Sequence, residues 1–386
     1  MKKSALWFVI FLGVVSLCAD ATYEGARSIT GAYLGSLGAS GTIVGLVAGL
    51  GELIGYGLRI AIGYLSDRTR KYWGITTLGY FINTTVVPLL ALTGTWQAAA
   101  GLMIAERTGK AVRTPPRDVL LSHAAMQVGR GFGFGLHEAM DQIGAVAGPL
   151  MVAAMLFWQF GYRGGFAILV IPATLGLLVL LLVQRIYPNP RDFEPVTPAD
   201  LQTEGLPRRF WIYLGAIALV AAGYADFPLI AFHLQQTGTD TGSQIPLLYA
   251  LAMGVDAIAA LAFGRWFDQI GLKSLMVAVG LSLFFAPLVF LGNAQLIILG
   301  MVLWGIGLGA QESIMKAAVA GIVPADRRGS AFGIFNTGYG LAWFAGSALM
   351  GVLYDFSLSS LIIFSVVMQF AAMPTLFLVA KGSRSH

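Results

Sequence analysis

Two copies of one sequence motif predict the architecture of this chain: Arg130-Gly131-Phe132-Gly133-Phe134-Gly135 and Arg328-Gly329-Ser330-Ala331-Phe332-Gly333. The second copy follows the first by 198 residues (from 130 to 328) in a chain of 386, and Ala147-Gly148 returns as Ala345-Gly346 at the same offset. Each copy lies at the end of a polar loop, where an apolar stretch begins. A chain that repeats itself at half its length in apolar sequence is predicted to be a membrane protein made of two related halves.

The composition excludes an ordinary soluble globule. The chain is 57% hydrophobic and only 11% charged, whereas a soluble domain carries about 25% charged residues. The net charge of +5 does not predict a nucleic-acid partner, because the bases lie in short loops and form no lysine-rich face. Cys18 is the single cysteine, which excludes an internal disulfide and a cysteine-based metal site. We expect no cofactor and no bound metal.

The N-terminus has the charge and apolar pattern of a secretory signal, with Lys2-Lys3 before an apolar run from Ala5 to Leu17. A cleaved signal is therefore one interpretation. No small-residue cleavage site follows, however, and Ala19-Asp20 has a counterpart in Ala225-Asp226 of the second half. We therefore predict that this segment is the first membrane span.

Twelve apolar stretches have about the 20 residues that a helix needs to cross a bilayer. They are residues 5–32, 41–62, 73–93, 96–116, 131–157, 164–186, 210–235, 244–264, 274–292, 294–320, 330–353 and 358–380. The predicted fold is an all-α membrane protein with an N-terminal six-helix bundle at 1–186 and a C-terminal six-helix bundle at 210–386. The proline-rich segment 187–209 is the predicted linker between them.

The distribution of basic residues predicts the orientation. With this assignment, 17 of the 24 lysines and arginines fall in loops on one side, and Arg163 is alone in the loops of the other side. Basic loops remain on the cytoplasmic side of a membrane. The sequence therefore predicts a multi-pass protein of a bacterial-type inner (plasma) membrane with both termini in the cytoplasm.

The loop after the second span carries Gly63-Tyr64-Leu65-Ser66-Asp67-Arg68, and a weaker copy after the eighth span carries Gly264 and Asp268. These residues resemble the loop motif of the major facilitator superfamily, although the second glycine of that motif is missing. The resemblance covers essentially the whole chain and implies twelve transmembrane helices in two pseudo-symmetric bundles. It also implies that Gly63, Asp67, Arg68, Gly264 and Asp268 form a conformational latch that stabilises the outward-facing state. The alternative is a basic loop that only sets topology.

The fifth span carries Gly135, Gly144 and Gly148-Pro149, which resemble a motif of the superfamily's antiporters. The final glycine pair is replaced by Val152-Ala153. In motif content the chain is closest to bacterial twelve-span proton antiporters of drugs and metabolites. The alternative is that these glycines only allow close helix packing. Arg107 resembles an arginine of the family's fourth-span motif.

Ionisable residues inside the predicted spans form the candidate site, because such residues are costly in a membrane and usually serve function. Asp20, Glu24 and Arg27 lie on one helix face at spacings of four and three. The other members of the predicted proton-coupling and substrate cavity are Arg107, His137, Glu138, Asp141, Asp226, Glu312 and Lys316. The alternative is that Glu24 with Arg27, and Glu312 with Lys316, are fixed structural pairs.

These patterns predict a secondary active transporter that moves a small polar or amphipathic solute by alternating access, with proton-coupled efflux as the first hypothesis. An uptake symporter, including one for a metal ion or chelate, is the alternative. An intramembrane enzyme is a weaker hypothesis, since no Gly-x-Ser-x-Gly, His-Glu-x-x-His or P-loop pattern is present. A sensor is also a weaker hypothesis, because we expect it to need a sizeable soluble appendage, and the predicted linker and tails are short. The predicted partners are a small-molecule substrate, protons and the lipid bilayer, and we expect a monomer.

Overall fold

The computed structural model describes residues 2–188, 206–238, 242–324 and 328–381. Within these ranges the side chains of residues 2, 3, 126, 130, 131, 316 and 328–330 are outside the description. Most of the predicted linker also lies outside it. Every regular element in the described ranges is a helix, and no strand occurs there. The all-α prediction is therefore confirmed.

Fifteen α-helices occur in the described ranges, and they fill the twelve predicted spans. They are α1 (Lys2–Ser36), α2 (Gly41–Thr69), α3 (Tyr72–Leu89), α4 (Trp96–Val128), α5 (Arg130–Phe157), α6 (Gly161–Ile168), α7 (Val170–Ile186), α8 (Arg208–Ala222), α9 (Phe227–Thr237), α10 (Gln244–Ile270), α11 (Lys273–Ser282), α12 (Phe285–Leu291), α13 (Ala294–Ile322), α14 (Arg328–Phe356) and α15 (Leu358–Lys381). Spans 6, 7 and 9 each consist of two helices. The helices extend beyond the predicted spans because helical hydrogen bonding does not stop where the apolar sequence stops.

Ten of the spans are long and apolar enough to cross a membrane by composition alone. Helices α4 and α14 fall outside that set. α4 carries six charged residues between 106 and 118, and α14 is diluted by glycine, serine and asparagine. Both exceptions are helices whose side chains or glycines serve packing and polar contacts inside the protein, as described below.

The chain divides into two compact units. The first comprises residues 1–37, 54–198 and 241–250, and the second comprises residues 38–53, 199–240 and 251–386. The beginning of α2 therefore belongs to the second unit and the beginning of α10 to the first. This division follows spatial contacts, so it does not test the predicted bundle boundaries along the sequence.

Helix contacts in both units depend on glycines in spans 5 and 11. In the first unit, α5 lies so close to α1 that a methyl group on Gly144 or Gly148 would overlap the carbonyl oxygens of Leu17 and Ala21. In the second unit, a methyl group on Gly346 would overlap the carbonyl of Ala222. Gly148 and Gly346 are the repeated positions of the sequence, so the repeat corresponds to the same close glycine–backbone contact between helices in both units.

The seventh span is interrupted at residues 223–226, between α8 and α9, and Pro228 occupies the first turn of α9. The freed carbonyl of Gly223 accepts hydrogen bonds from Ser365 Oγ at 2.6 Å and Gln369 Nε2 at 3.3 Å. Trp304 Nε1 donates to the carbonyl of Ala225 at 2.9 Å. The break is stable inside a membrane because neighbouring side chains satisfy the exposed backbone.

A second glycine contact holds the beginning of α2 within the second unit. Gly41, Gly45 and Gly49 are spaced four residues apart on α2 and lie against α14 in the stretch from 344 to 355. Asp355 closes this contact, because its carboxylate accepts hydrogen bonds from Gly41 N at 2.9 Å, Thr42 N at 2.8 Å and Thr42 Oγ1 at 2.6 Å. A carboxylate at the first turn of a helix caps free backbone N–H groups.

Candidate functional site

A charged seam runs between α1 and α4 in the first unit. α4 presents Glu106, Lys110, Arg113 and Arg117 at spacings of four, three and four, which places them on one helix face. α1 faces them with Ser16, Asp20 and Glu24, also four residues apart. Because the two helices run side by side, these residues meet in three successive layers. We call this group of side chains the charged seam.

The central layer is a buried ion pair. Arg113 Nη2 lies 3.2 Å from Asp20 Oδ1, and the Arg113 side chain is 1% exposed. The guanidinium also lies over the Tyr80 ring, with Arg113 Cζ 4.5 Å from the ring centroid. Its Nε and Nη1 atoms have no hydrogen-bond partner in the described part of the protein. The contacts with Asp20 and Tyr80 thus leave two N–H groups of this buried guanidinium without hydrogen bonds, which is costly in a membrane.

Three cations surround one tyrosine ring in the next layer. Lys110 Nζ lies 3.7 Å from the centroid of the Tyr23 ring, and the Cζ atoms of Arg107 and Arg113 lie 5.7 Å and 6.0 Å from it. Lys110 also donates a short hydrogen bond to the Tyr23 hydroxyl. A cation within about 6 Å of an aromatic ring is attracted by the electron density of the ring face. The ring therefore holds the three positive charges together.

Carboxylates neutralise most of these cations. Glu106 Oε2 lies 3.5 Å from Arg107 Nε, and Glu106 Oε1 accepts a hydrogen bond of 2.6 Å from Asn83. Glu24 accepts a hydrogen bond of 2.5 Å from the hydroxyl of Tyr249, at the beginning of α10, and interacts electrostatically with Arg27. The predicted residues Asp20, Glu24, Arg27 and Arg107 are thus brought together in one region.

The third layer connects α4 to α5. Arg117 pairs with Asp118 at 2.7 Å, donates to Ser16 Oγ at 3.1 Å and lies 4.0 Å from Asp141 Oδ2. His137 Nδ1 is 3.5 Å from the same carboxylate oxygen. His137 Nε2 and Asp141 Oδ1 have no hydrogen-bond partner among the described residues. The candidate residues His137 and Asp141 are therefore in contact with each other, and α5 contributes one acidic side chain beside the charged seam.

Glu138, three residues before Asp141 on α5, is exposed and lies at the edge of this layer. Glu312 is also exposed. The side chain of Lys316 lies outside the described residues, so the predicted Glu312–Lys316 pair stays a prediction.

Asp226 has a different environment in the second unit. It is 2% exposed and follows the break in span 7. Trp343 Nε1 donates to Asp226 Oδ2 at 3.3 Å. The rings of Tyr224, Trp304 and Trp343 lie close together beside it, with the two tryptophan centroids 5.7 Å and 5.9 Å from that of Tyr224. The second unit therefore surrounds its buried carboxylate with aromatic side chains.

The latch residues lie at helix ends. Asp67 is exposed near the end of α2, next to Arg68, and accepts a hydrogen bond of 3.3 Å from Tyr72. A methyl group on Gly63 would lie 3.8 Å from Pro115 of α4, and one on Gly264 would lie 3.9 Å from Ser313 of α13. Asp268 is exposed near the end of α10. The two motif copies thus occupy equivalent places in the chain, and the latch itself stays a prediction.

Sequence reasoning left several functional candidates out of the predicted site. Arg113, Lys110 and Arg117 were recognisable, because their spacing places them on one face of α4 with Glu106. The four-residue spacing of Gly41, Gly45 and Gly49 was likewise a signal for close helix packing. Tyr23, Tyr249 and Asn83 showed no such pattern, since an isolated tyrosine or asparagine in an apolar helix can equally form a structural hydrogen bond. Among the described residues, no group of three or more His, Cys, Asp or Glu side chains is placed to hold a metal ion.

Comparison with known proteins identifies the family. The sequence profile described as Major Facilitator Superfamily matches residues 10–255 and 217–386. The chain belongs to the Major Facilitator Superfamily. It is 43% identical over 382 residues to an uncharacterised protein of Mycobacterium tuberculosis (strain H37Rv), covering 97% of this chain and 93% of the relative. It is 24% identical over 335 residues to the multidrug resistance protein MdtH of Proteus mirabilis, covering 84% and 80%.

The fold agrees with solved structures of transporters. A point mutant of the nucleoside transporter NupG superposes with a TM-score of 0.77 at 14% identity, covering 95% of this chain and 99% of that chain. The chain thus has the twelve-helix, two-bundle transporter fold, and its family consists of transporters rather than enzymes. The predicted family and fold are confirmed.

Proposed function

We propose that this protein is a proton-coupled secondary transporter that moves a small polar or amphipathic solute across the inner (plasma) membrane by alternating access. The observation that carries the proposal is the buried Asp20–Arg113 pair within the charged seam. A carboxylate that alternates between a proton and an arginine couples proton binding to a rearrangement of charge. The proposal includes both termini in the cytoplasm, following the asymmetry of basic loops, and a monomer.

Export in exchange for protons is the first candidate direction. The resemblance of the span 5 glycines to an antiporter motif supports it. The similarity to MdtH, named as a multidrug resistance protein, also supports it. Gly144 and Gly148 are explained by packing against α1, so their presence is compatible with either direction.

Uptake together with protons is the second candidate, favoured by one observation. Lys110 has no carboxylate within 4.0 Å among the described residues. A cation without a carboxylate in direct contact attracts an anionic solute, and the bound anion in turn favours protonation of a nearby carboxylate. Proton and solute then bind together, as co-transport requires.

The experiment is a flux assay in proteoliposomes that contain an internal pH dye. A proton gradient is imposed, and mixed pools of metabolites and drugs are added. Proton flow down its gradient with solute moving the opposite way supports exchange, and movement of both in one direction supports co-transport. Absence of solute-dependent proton movement with every pool, from correctly folded protein, contradicts proton coupling.

A further inference from the structure

We infer that the solute carries a negative charge, as a carboxylate or a phosphate, and that Lys110 binds this group. The inference rests on the proposed proton-coupled transport and holds for either direction. It names the chemical class of the substrate, which the fold by itself leaves open.

Most charges in the charged seam have a partner of opposite sign. Arg113 is paired with Asp20 and Arg107 with Glu106. Glu24 lies near Arg27, three residues away on the same helix, and interacts electrostatically with both Arg27 and Lys110. Lys110 differs from these arginines, because its direct contacts are the hydroxyl and the ring of Tyr23, and the carboxylates of Glu24 and Asp20 act on it only from beyond ion-pairing distance.

The position of Lys110 also suits a ligand. Its residue surface is partly exposed, unlike that of Arg113 one turn further along α4. A lysine ammonium has three N–H donors, and the Tyr23 hydroxyl accepts one of them. The Nε and Nη1 donors of Arg113 are buried and lack partners in the described part of the chain. Unused donors on two neighbouring cations provide a site where an anion is bound by charge-assisted hydrogen bonds.

The excess of negative charge nearest to Lys110 lies further along α4, in the third layer. Arg117 is shared by Asp118 and Asp141, which gives the third layer one carboxylate more than it has arginines. Lys110 and Arg117 are seven residues apart, which is about 10 Å along a helix. That carboxylate therefore does not occupy the donors of Lys110, and the positive layer remains available to a solute.

The test uses wild-type protein in proteoliposomes and three solute pools under one proton gradient. The first contains small carboxylates and organophosphates, the second contains neutral amides and sugars, and the third contains amines. The inference predicts that only the acidic pool drives proton movement. Activity with the neutral or amine pool overturns the inference and leaves proton-coupled transport intact. Inactivity with all three pools contradicts the proposed function, and the inference falls with it.

Variants then test Lys110 itself with the acidic pool. Lys110→Gln is expected to reduce solute-dependent proton movement at least tenfold, whereas Lys110→Arg keeps the charge and retains most of it. Lys273→Gln, at the exposed beginning of α11, is the matched control and is expected to behave as wild type. Wild-type flux in Lys110→Gln overturns the assignment of Lys110. If Lys110→Gln is not recovered as folded protein, the wild-type comparison of the three pools still decides the charge of the solute.

Discussion

The helix pair that meets at Gly148 and the pair that meets at Gly346 are built alike, yet the side chains around them differ in kind. Both glycines lie against the carbonyl of an alanine in the first span of their own half, Ala21 or Ala222. Near Gly148, the first unit carries the charged seam, in which Arg113 is buried and Lys110 is partly exposed. Near Gly346, the second unit buries Asp226 among tryptophan and tyrosine rings. The repeat thus retains the backbone contacts that the fold needs, and the two units diverge in the chemistry that they offer.

The largest effect is expected from disrupting the glycine–backbone contact that both units share. In Gly148→Leu or Gly346→Leu, the new side chain meets backbone atoms, which cannot move aside as a side chain can. Overpacking costs about 1–3 kcal/mol and sometimes more, so we expect little folded protein from either variant. The measurement is the yield of monodisperse protein by size-exclusion chromatography. Gly135→Leu is the control, because a Cβ atom there has no neighbour within 4 Å; equal yields for all three variants contradict the packing account.

The second prediction separates the charged seam from its aromatic counterpart. Arg113→Gln leaves the Asp20 carboxylate buried without its ion partner, which costs about 3–5 kcal/mol. The expected result is a marked fall in the melting temperature of the detergent-purified protein. The double variant Asp20→Asn/Arg113→Gln removes both charges and is expected to recover much of the loss. Equal melting temperatures for the single and double variants argue against a direct pair.

The third prediction concerns Asp226. Trp343→Phe removes the N–H donor that reaches its carboxylate, and a hydrogen bond to a charged group contributes about 1.5–3 kcal/mol. Trp304→Phe removes a donor to a neutral carbonyl, that of Ala225, and about 0.5–1.5 kcal/mol is expected there. Thermal denaturation should therefore rank Trp343→Phe as the more damaging substitution. The reverse order indicates that the indole bond to Asp226 is not a main support of the second unit.

The smallest effect is expected at the beginning of α2. Asp355→Ala removes the acceptor for two backbone N–H groups, and loss of such a cap costs about 0.5–2 kcal/mol. Asp355→Asn keeps one acceptor oxygen and is expected to lie between wild type and Asp355→Ala. Melting temperatures of the three proteins check this order. An unchanged melting temperature in Asp355→Ala shows that the cap contributes little beside the glycine contacts of Gly45 and Gly49.

The fold could be predicted from the sequence, because the length of each apolar stretch, the basic loops and the internal repeat can each be read from continuous segments of the chain. The twelve spans follow from them, including α4, which carries too many charges to be found by hydropathy alone. The site was predicted less completely. Asp20, Glu24 and Arg107 stood out as charges in a membrane, and His137 and Asp141 were candidates for the same reason.

The identity of the partners could not be read from the sequence. Arg113 as the partner of Asp20, and Tyr249 as a donor to Glu24, depend on how distant segments pack. Glu138 was indistinguishable from Asp141 by type and span, and only the rotation of α5 separates the exposed residue from the partly buried one. Helix rotation is set by packing, and the glycines of α5 fix it by close contact with α1.

We propose that a carboxylate of the charged seam carries the coupled proton, and the Asp20→Asn variant tests this role. Solute exchange and proton movement are measured in the same proteoliposomes, with Asp200→Asn in the predicted linker as the matched control. We expect Asp20→Asn to exchange solute across the membrane without coupled proton movement, whereas Asp200→Asn should do both. Wild-type proton coupling in Asp20→Asn would contradict the assignment.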